Sequence, residues 1–298
     1  MEQAIITGST GLIGSSLVKF LISKKIKVLC IGRQSLSDND LIKIFGQKVD
    51  YLPLDFENIS SLPQEIKKIN FEPTKNCVFF SLAWGGDSTL TNGNFEKQFI
   101  NSIYTSEILK ISKDIGCQKF INCGTIQETI AENALENNLS FNNSQINYSI
   151  SKIASRDMCN MISYLEKIDF IQTRLSVPIN PKVNNSGYIS KVINNIACDK
   201  EYSEPNNTQQ FDITHIEDVC NAYYLIGLFG KNKSDYYIGT SKSRTLKEYF
   251  SIAQKFFNGK LDNRDLNFNS DKMFSIDNLI NDTGFVLKYN YLDILKKF

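Results

Sequence analysis

The 298-residue sequence contains only one histidine and one tryptophan, and its seven cysteines include no Cys-x-x-Cys pair. A single histidine, His215, leaves few ligands for a metal site, so we expect no bound metal and no metal chemistry. Four of the scattered cysteines lie in apolar runs, which indicates reduced thiols in the core of a cytoplasmic protein. These are Cys30, Cys77, Cys123 and Cys220.

Long apolar runs and an excess of charge are also missing. Stretches such as CVFF are too short to cross a bilayer, and no basic segment precedes an apolar one at the N-terminus, so we predict neither a membrane span nor a signal peptide. Thirty-three basic residues are balanced by 32 acidic ones. This balance argues against nucleic acid or an anionic membrane as a partner. Apolar residues at 42% and charged residues at 22% are typical of a soluble globular enzyme.

The sequence does contain a regular alternation of short and long segments. Between the short runs, apolar residues recur at helical spacing, for example over 12–24 and 99–115. Alternation of strands and helices predicts an α/β fold, here a Rossmann-like, doubly wound parallel sheet with helices on both faces. The predicted strands, rich in β-branched and aromatic residues, are QAIIT, KVLCIG, DYLPLD, NCVFFSLAW, KFINCGT and DFIQTRLSV.

The composition changes after Pro178. Two stretches, NPKVNNSG and DKEYSEPNNTQQ, are typical of loops, and the strand-like run YYIGT and a helical segment over 246–257 follow them. We therefore predict two interleaved parts. Residues 1–175 and 212–240 form a Rossmann domain that binds NAD(P), whereas residues 176–211 and 241–298 form a smaller substrate-binding lobe.

The first predicted strand leads directly into a turn with three glycines, TGSTGLIG. Gly8 permits a sharp turn, Gly11 lets a pyrophosphate approach the backbone, and Gly14 lets the following helix pack closely on the sheet. The N-terminal amides of that helix would face the phosphates. A tight turn without a ligand has the same composition, but the position between a strand and a helix favours dinucleotide binding. The cofactor-binding residues predicted in this turn are Gly8, Thr10, Gly11, Leu12, Ile13 and Gly14.

The end of the second predicted strand indicates which dinucleotide is bound. An acidic residue there would bind both ribose hydroxyls, but the sequence has Gly32 and Arg33. A guanidinium suits a 2′-phosphate, so we predict that these two residues favour NADP(H). NAD(H) is the alternative, in which Arg33 is only a surface residue.

Tyr148 and Lys152 lie four residues apart in a predicted helix and therefore on one face of it. The pKa of a free tyrosine is about 10, and a nearby ammonium would lower it towards the range needed for proton transfer. Lys152 would also hold the nicotinamide ribose, and Tyr148 is likewise predicted to be a cofactor-binding residue. We predict that Thr125, at the end of the fifth strand, directs a hydroxyl at the substrate oxygen and completes a catalytic triad with Tyr148 and Lys152.

The glycine spacing and the Tyr-x-x-x-Lys pair resemble those of the extended short-chain dehydrogenases/reductases, the NAD-dependent epimerase/dehydratase family of nucleotide-sugar enzymes. The resemblance implies that Asp55 and Phe56 contact the adenine. It also implies that the segment SLAW, with Leu82, Ala83 and Trp84, lines the cofactor site, together with Asn101. Gly-Thr followed by Gln127 and Glu128 is similar to reductases of the abequose and paratose synthase type. This similarity implies substrate contacts by Thr125, Gln127 and Val177.

The same resemblance directs the choice of reaction. Nucleotide-sugar 4,6-dehydratases have Asp-Glu after the threonine, whereas here Ile126 and Gln127 follow and Glu128 comes one position late, which disfavours a dehydratase. The implied activity is NADPH-dependent reduction of a nucleotide-linked 4-keto-deoxysugar, in sugar-nucleotide biosynthesis for surface polysaccharide. The alternatives are an NAD(P)-dependent nucleotide-sugar epimerase and a non-catalytic NADP-binding sensor on the same fold.

The expected partners are a nucleotide-sugar substrate and a second copy of the chain. The family commonly dimerises through two helices that form a four-helix bundle. Segments 94–112 and 149–165 are the candidates for these helices, unless both are buried within one chain.

Overall fold

The computed structural model describes residues 1–86, 94–139, 146–182, 187–205, 209–266, 268 and 270–298. Parts of the two loops predicted after Pro178, at 183–186 and 206–208, lie outside the described residues. The strands among the described residues are β1 (Gln3–Thr7), β2 (Lys27–Gly32), β3 (Asp50–Pro53), β4 (Cys77–Ser81), β5 (Lys119–Thr125), β6 (Asp169–Leu175), β7 (Val177–Ile179), β8 (Gln210–Phe211), β9 (Ile213–His215), β10 (Asp235–Ile238) and β11 (Arg244–Thr245).

Seven of these strands form one parallel sheet in the order β10-β6-β5-β4-β1-β2-β3. The chain runs outward from β1 through β2 and β3, then crosses to β4 on the other side of β1. In open sheets of this kind, ligands bind at the carboxyl ends of the strands where the order reverses, here between β1 and β4. The six predicted strands are β1 to β6, which confirms the Rossmann-like α/β fold. Two short pairs, β7 with β9 and β8 with β11, lie outside the sheet.

The helices agree closely with the sequence periodicity. The predicted helix over 246–257 has these bounds in the structure, whereas the one predicted over 99–115 begins earlier because the Asn94 side chain accepts from the backbone N–H of Lys97 and caps the helix. Within the described part of the chain, no helix combines the length and apolar character needed to span a membrane. The α-helices are α1 (Leu12–Ser23), α2 (Asp38–Phe45), α3 (Leu62–Lys68), α4 (Phe95–Asp114), α5 (Ile126–Glu136), α6 (Ile146–Glu166), α7 (Tyr188–Ala197), α8 (Ile216–Phe229), α9 (Leu246–Phe257), α10 (Asp277–Thr283) and α11 (Tyr291–Leu295).

The core has one apolar layer on each face of the sheet. Alternate residues of β1 enter opposite layers: Ala4 and Ile6 pack on one side and Ile5 on the other. A strand covered on both faces needs this continuous apolar run. A third apolar cluster joins α7, α9 and α11, which lie in the segments predicted as the smaller lobe, to Ile213 of β9, which lies in the segment 212–240 predicted as part of the Rossmann domain. The four cysteines predicted in the core are all buried.

Arg174 on β6 connects four elements through charge pairs. Its guanidinium donates twice to the Asp235 carboxylate on β10, at 2.7 and 2.9 Å, and once to Glu132 on α5. Glu132 also pairs with Arg156 on α6. Because every charge in this half-buried network has a partner, the network holds α5 and α6 against the edge of the sheet.

Candidate functional site

The glycine turn after β1 is too crowded for side chains at two of its three glycines. Gly8 has a φ of +67°, and a Cβ there would lie 2.9 Å from the backbone of Ala83. A Cβ on Gly14 would lie 2.2 Å from the carbonyl oxygen of Gly8. Gly11 is the N-cap of α1, and no described side chain caps that helix end by a hydrogen bond. The turn therefore presents bare backbone and an uncapped helix N-terminus, which suit a phosphate.

A cavity of about 610 Å³ opens in front of this turn, at the reversal of the strand order. Its volume is within the range of small-molecule and cofactor sites. Among the predicted cofactor residues, Leu12, Ile13 and Gly14 lie in the first turn of α1, outside the lining, and Tyr148 and Lys152 also lie outside it. The predicted residues that line the cavity are Gly8, Thr10, Gly11, Gly32, Arg33, Asp55, Phe56, Leu82, Ala83, Trp84 and Asn101.

One wall of the cavity was not anticipated. Lys97, Ile100 and Tyr104 of α4 line the cavity beside Asn101, and Glu57 lines it next to Phe56. The α4 residues follow the i, i+3, i+4, i+7 spacing of one helix face. In the sequence this spacing is the same for a face that covers a core and for a face that covers a ligand, so it could not identify the wall.

The predicted adenine contacts are held by local bonds. The Asp55 carboxylate accepts from the backbone N–H of Phe56 at 2.7 Å and caps the short 3-10 helix Phe56–Ser61. The buried Phe56 ring packs against the Tyr104 ring, with centroids 5.9 Å apart. These contacts fix the orientation of Asp55 and Phe56 at the cavity wall.

Asn101 contacts the chain itself through its side-chain amide. Its amide oxygen accepts from the backbone N–H of Gly85 at 2.7 Å, and its amide nitrogen donates to the Gly85 carbonyl at 3.0 Å. The segment after β4 is fixed further by Thr7, whose hydroxyl accepts from the Ala83 N–H at 3.4 Å. Asn101 thus holds the cavity wall in place, and direct contact with a cofactor remains a prediction.

The three predicted catalytic residues lie together beside the cavity. Thr125 ends β5 and caps α5, whereas Tyr148 and Lys152 lie in the first turns of α6. The Lys152 ammonium is buried, donates to the carbonyl of Cys123 at 2.7 Å and lies 5.8 Å from the centroid of the Tyr148 ring. Trp84 connects them to the cavity, because it lines the cavity and packs edge-on against Tyr148 at 6.0 Å.

The pKa of Tyr148 differs from the sequence-based expectation. Burial raises this pKa because it disfavours the phenolate, and a hydrogen bond with Thr125 opposes the increase. Burial also lowers the pKa of Lys152. The pKa of Tyr148 is therefore raised in this structure, in the direction opposite to the prediction, because desolvation outweighs the hydrogen bond with Thr125.

The predicted substrate residues lie near Thr125 or on β7. The backbone N–H of Gln127 donates to the Thr125 hydroxyl at 3.3 Å, and Gln127 is buried. Val177 is half-buried and its N–H donates to the Asp212 carbonyl at 2.9 Å. Neither residue lines the large cavity, and their contacts with a substrate remain predictions.

Glu128 is fully buried and contacts the backbone of Thr125. Its carboxylate accepts from the Thr125 N–H at 2.8 Å and from the Gln172 amide at 3.1 Å. Burial raises the pKa of Glu128 to about 7, although Lys152 and Arg174 act in the opposite direction. Glu128 therefore helps to hold Thr125 in place and does not line the cavity.

The raised pKa of Glu128 predicts a pH-dependent stability. The folded state binds the proton more tightly than the unfolded state, so the contribution to stability is complete below about pH 4.5 and is lost as the pH rises through about 7. The free energy of unfolding should fall by roughly 3 kcal/mol at most across this window. Urea unfolding at about pH 4.5 and at about pH 7 measures this change in the free energy of unfolding.

The variant Glu128→Gln should show a smaller pH dependence than the wild type. Glu136→Gln, at an exposed glutamate on the same helix, is the matched control. An equal stability difference between wild type and Glu128→Gln at both pH values would contradict the assignment.

Comparison with known proteins agrees with the family resemblance of the glycine turn and the Tyr–Lys pair. The sequence model of the NAD dependent epimerase/dehydratase family matches residues 4–239. No curated protein matches the chain by sequence.

Solved structures with the same fold cover 99% of this chain. The UDP-glucose 4-epimerase of Thermotoga maritima, with UDP-glucose, is 16% identical with a TM-score of 0.75, and 96% of its chain is covered. The UDP-glucuronic acid 4-epimerase of Bacillus cereus, with UDP-glucuronic acid and NAD, is 18% identical with a TM-score of 0.74 and 97% coverage. The enzyme WbmG of Bordetella bronchiseptica, with NAD and UDP, is 13% identical with a TM-score of 0.74 and 91% coverage. At these identities the likeness shows the fold.

Proposed function

The chain belongs to the NAD dependent epimerase/dehydratase family of enzymes, and we propose that it uses NADPH to reduce a nucleotide-linked 4-keto-deoxysugar in sugar-nucleotide biosynthesis for surface polysaccharide. The observation that carries this proposal is the grouping of Thr125, Tyr148 and Lys152 beside the cavity that opens at the glycine turn, in contact with Trp84 of its lining. The sequence has no Asp-Glu pair after Thr125, which argues against dehydration.

The residues present suit a dinucleotide. A Cβ on Gly8 or Gly14 would fill space beside the turn, and α1 presents its uncapped N-terminus there, so backbone amides would hold the pyrophosphate. Asp55 and Phe56 would contact the adenine, Arg33 a 2′-phosphate and Lys152 the nicotinamide ribose. The bound cofactor would supply a hydride to the keto carbon.

The protein's own groups would supply the proton. The hydroxyl of Tyr148 donates it to the oxygen of the former keto group, and the Thr125 hydroxyl polarises that oxygen by a hydrogen bond. Burial keeps the pKa of Tyr148 high, so the phenol holds its proton at neutral pH. A protonated phenol is the form needed for reduction, whereas oxidation of an alcohol needs the phenolate.

A second candidate is an NAD(P)-dependent nucleotide-sugar epimerase. It is favoured by the solved structures of the same fold that are UDP-sugar 4-epimerases. An epimerase returns its hydride to the sugar and shows no net use of cofactor. A non-catalytic NADP-binding sensor is disfavoured because the chain retains both Tyr148 and Lys152.

Incubation with NADPH and CDP-, dTDP-, GDP- or UDP-linked 4-keto-deoxysugars tests the proposal. We expect loss of the reduced-nicotinamide absorbance in a one-to-one ratio with one of these sugars, and deuterium transfer to the sugar from deuterated NADPH. Failure with all four classes, together with interconversion of a UDP-sugar without net cofactor oxidation, would identify an epimerase instead.

Arg33 is proposed to select NADPH over NADH. Arg33 is exposed at the cavity rim beside Gly32. A Cβ added to Gly32 would lie 2.6 Å from the Tyr51 hydroxyl. The variant Arg33→Ser should weaken NADPH binding by about tenfold or more, since it loses a charge-assisted contact, and should change NADH binding little. Titration calorimetry measures both dissociation constants.

The matched control is Arg264→Ser, at an exposed arginine outside the cavity. Wild-type protein that binds NADH more tightly than NADPH would contradict the assignment of the 2′-phosphate to Arg33. Preference for NADH would leave the roles of Tyr148 and Lys152 unaffected.

We also propose that the chain forms a homodimer. Helices α4 and α6 pack against each other, yet they expose apolar side chains on their outer faces: Ile103, Ile150, Met161 and Tyr164. Burial of this face against a second copy would remove apolar surface from water. Light scattering of wild type and Met161→Glu tests the dimer. We further propose that the lobe formed by 176–211 and 241–298 binds the sugar nucleotide.

A further inference from the structure

Trp84, the only tryptophan of the chain, lines the cavity. Its indole Nε1 donates to the side-chain oxygen of the buried Gln98 at 2.8 Å. The next residue, Gly85, is held through both its N–H and its carbonyl by Asn101. Because the backbone and the ring are both bound to α4, the indole has one defined orientation.

The face of this indole is in contact with the Lys152 ammonium. The Nζ atom lies 3.7 Å from the ring centroid, and the same atom donates to the Cys123 carbonyl at 2.7 Å. An ammonium carries three N–H groups. One N–H points to the Cys123 carbonyl and one to the Trp84 ring. The third N–H is therefore available for a cofactor ribose or for Tyr148.

We propose that Trp84 is a positioning residue for Lys152, whose charge it stabilises in a buried site and whose remaining N–H it directs towards the reacting groups. Tryptophan is the side chain whose ring attracts cations most strongly, and the bond to Gln98 keeps its face towards Lys152. The consequence for turnover rests on the proposed function. The consequence for the charge of Lys152 does not.

Because Trp84 is the only tryptophan, its fluorescence reports the charge above its ring. We expect a step in the emission wavelength when the protein, without added nucleotide, is titrated from about pH 7 to about pH 11. The midpoint should lie below the ordinary lysine value, since burial lowers the pKa of Lys152. Lys152→Met should abolish the step. Lys97→Met, at an exposed lysine of the same cavity, should retain it.

Turnover provides the second readout. Trp84→Leu should lower kcat by about tenfold with a smaller change in KM, and Trp84→Phe should restore most of the loss because an aromatic face remains. In Trp84→Leu the alkaline limb of the pH profile should move to lower pH, since the ammonium loses the ring that stabilises its charge. Melting temperatures check that both variants fold.

Two results would overturn the proposal: a fluorescence step that persists in Lys152→Met, or equal losses of kcat in the leucine and phenylalanine variants with an unmoved pH profile. If the wild type oxidises no NADPH with any keto sugar, the proposed function fails, but the fluorescence titration still decides the contact between Trp84 and Lys152.

Discussion

Replacement of Tyr148 by phenylalanine is expected to lower kcat for NADPH-dependent reduction by about 10²- to 10⁴-fold, the usual contribution of a positioned general acid. The substitution removes one oxygen atom and keeps the ring that packs edge-on against Trp84. The variant lacks the hydroxyl that would donate the proton to the substrate oxygen. Steady-state kinetics with the keto sugar identified by the substrate screen measure the effect.

The control for this prediction is Tyr164→Phe, at an exposed tyrosine on the same helix. It should leave kcat unchanged, and both variants should bind NADPH like the wild type. A Tyr148→Phe enzyme with near wild-type kcat would remove Tyr148 from the mechanism. Loss of NADPH binding in that variant would instead indicate a role in holding the cofactor.

Gly14→Ala is expected to abolish the cofactor site by steric conflict. An added Cβ would lie 2.2 Å from the Gly8 carbonyl oxygen and 2.8 Å from the Ser9 Cα, both backbone atoms, so the turn must move to accept it. Overpacking of this kind destabilises a protein by about 1–3 kcal/mol or more. We expect NADPH affinity to fall by at least about tenfold, because the displaced amides would no longer converge on the pyrophosphate.

Gly187→Ala is the matched control for the glycine turn. This glycine caps α7, has an ordinary negative φ, and an added Cβ would meet no atom of the described residues within 4 Å. The control should fold and bind NADPH like the wild type, as measured by urea unfolding and calorimetry. If Gly14→Ala also binds NADPH like the wild type, the turn does not have the predicted role.

Several features of the site followed from short-range patterns. The strand runs, the helix over 246–257 and the pair Tyr148 and Lys152 on one helix face are all present as predicted. These features depend on side-chain alternation and on the helical repeat, which act within one element. The glycine requirement at position 14 is similarly local, because a Cβ there would clash with the same turn, whereas a Cβ at Gly8 would clash with the distant backbone of Ala83.

Other features could not be read from the sequence. The face of α4 that lines the cavity has the spacing of an ordinary core-facing surface, and only its packing beside the segment after β4 distinguishes the two. The pairing of the Asn101 amide with the Gly85 backbone is a contact between elements of this kind, and the predicted contact of Asn101 with a cofactor stays a prediction. The contact of Trp84 with Lys152 joins residues separated by 68 positions, and no periodic pattern connects them.

The amino-acid pattern alone predicts the order of strands and helices, the glycine turn and the spacing of the Tyr–Lys pair, because each depends on neighbours within a few residues. The direction of the Tyr148 pKa shift and the surroundings of Lys152 depend instead on the folded chain. Desolvation and close contact are set by the distant segments that cover a group, and here Lys152 of α6 is buried against the Cys123 carbonyl of β5 and the Trp84 ring after β4. The charges at the site are therefore set by packing between elements, which spacing along the chain does not contain.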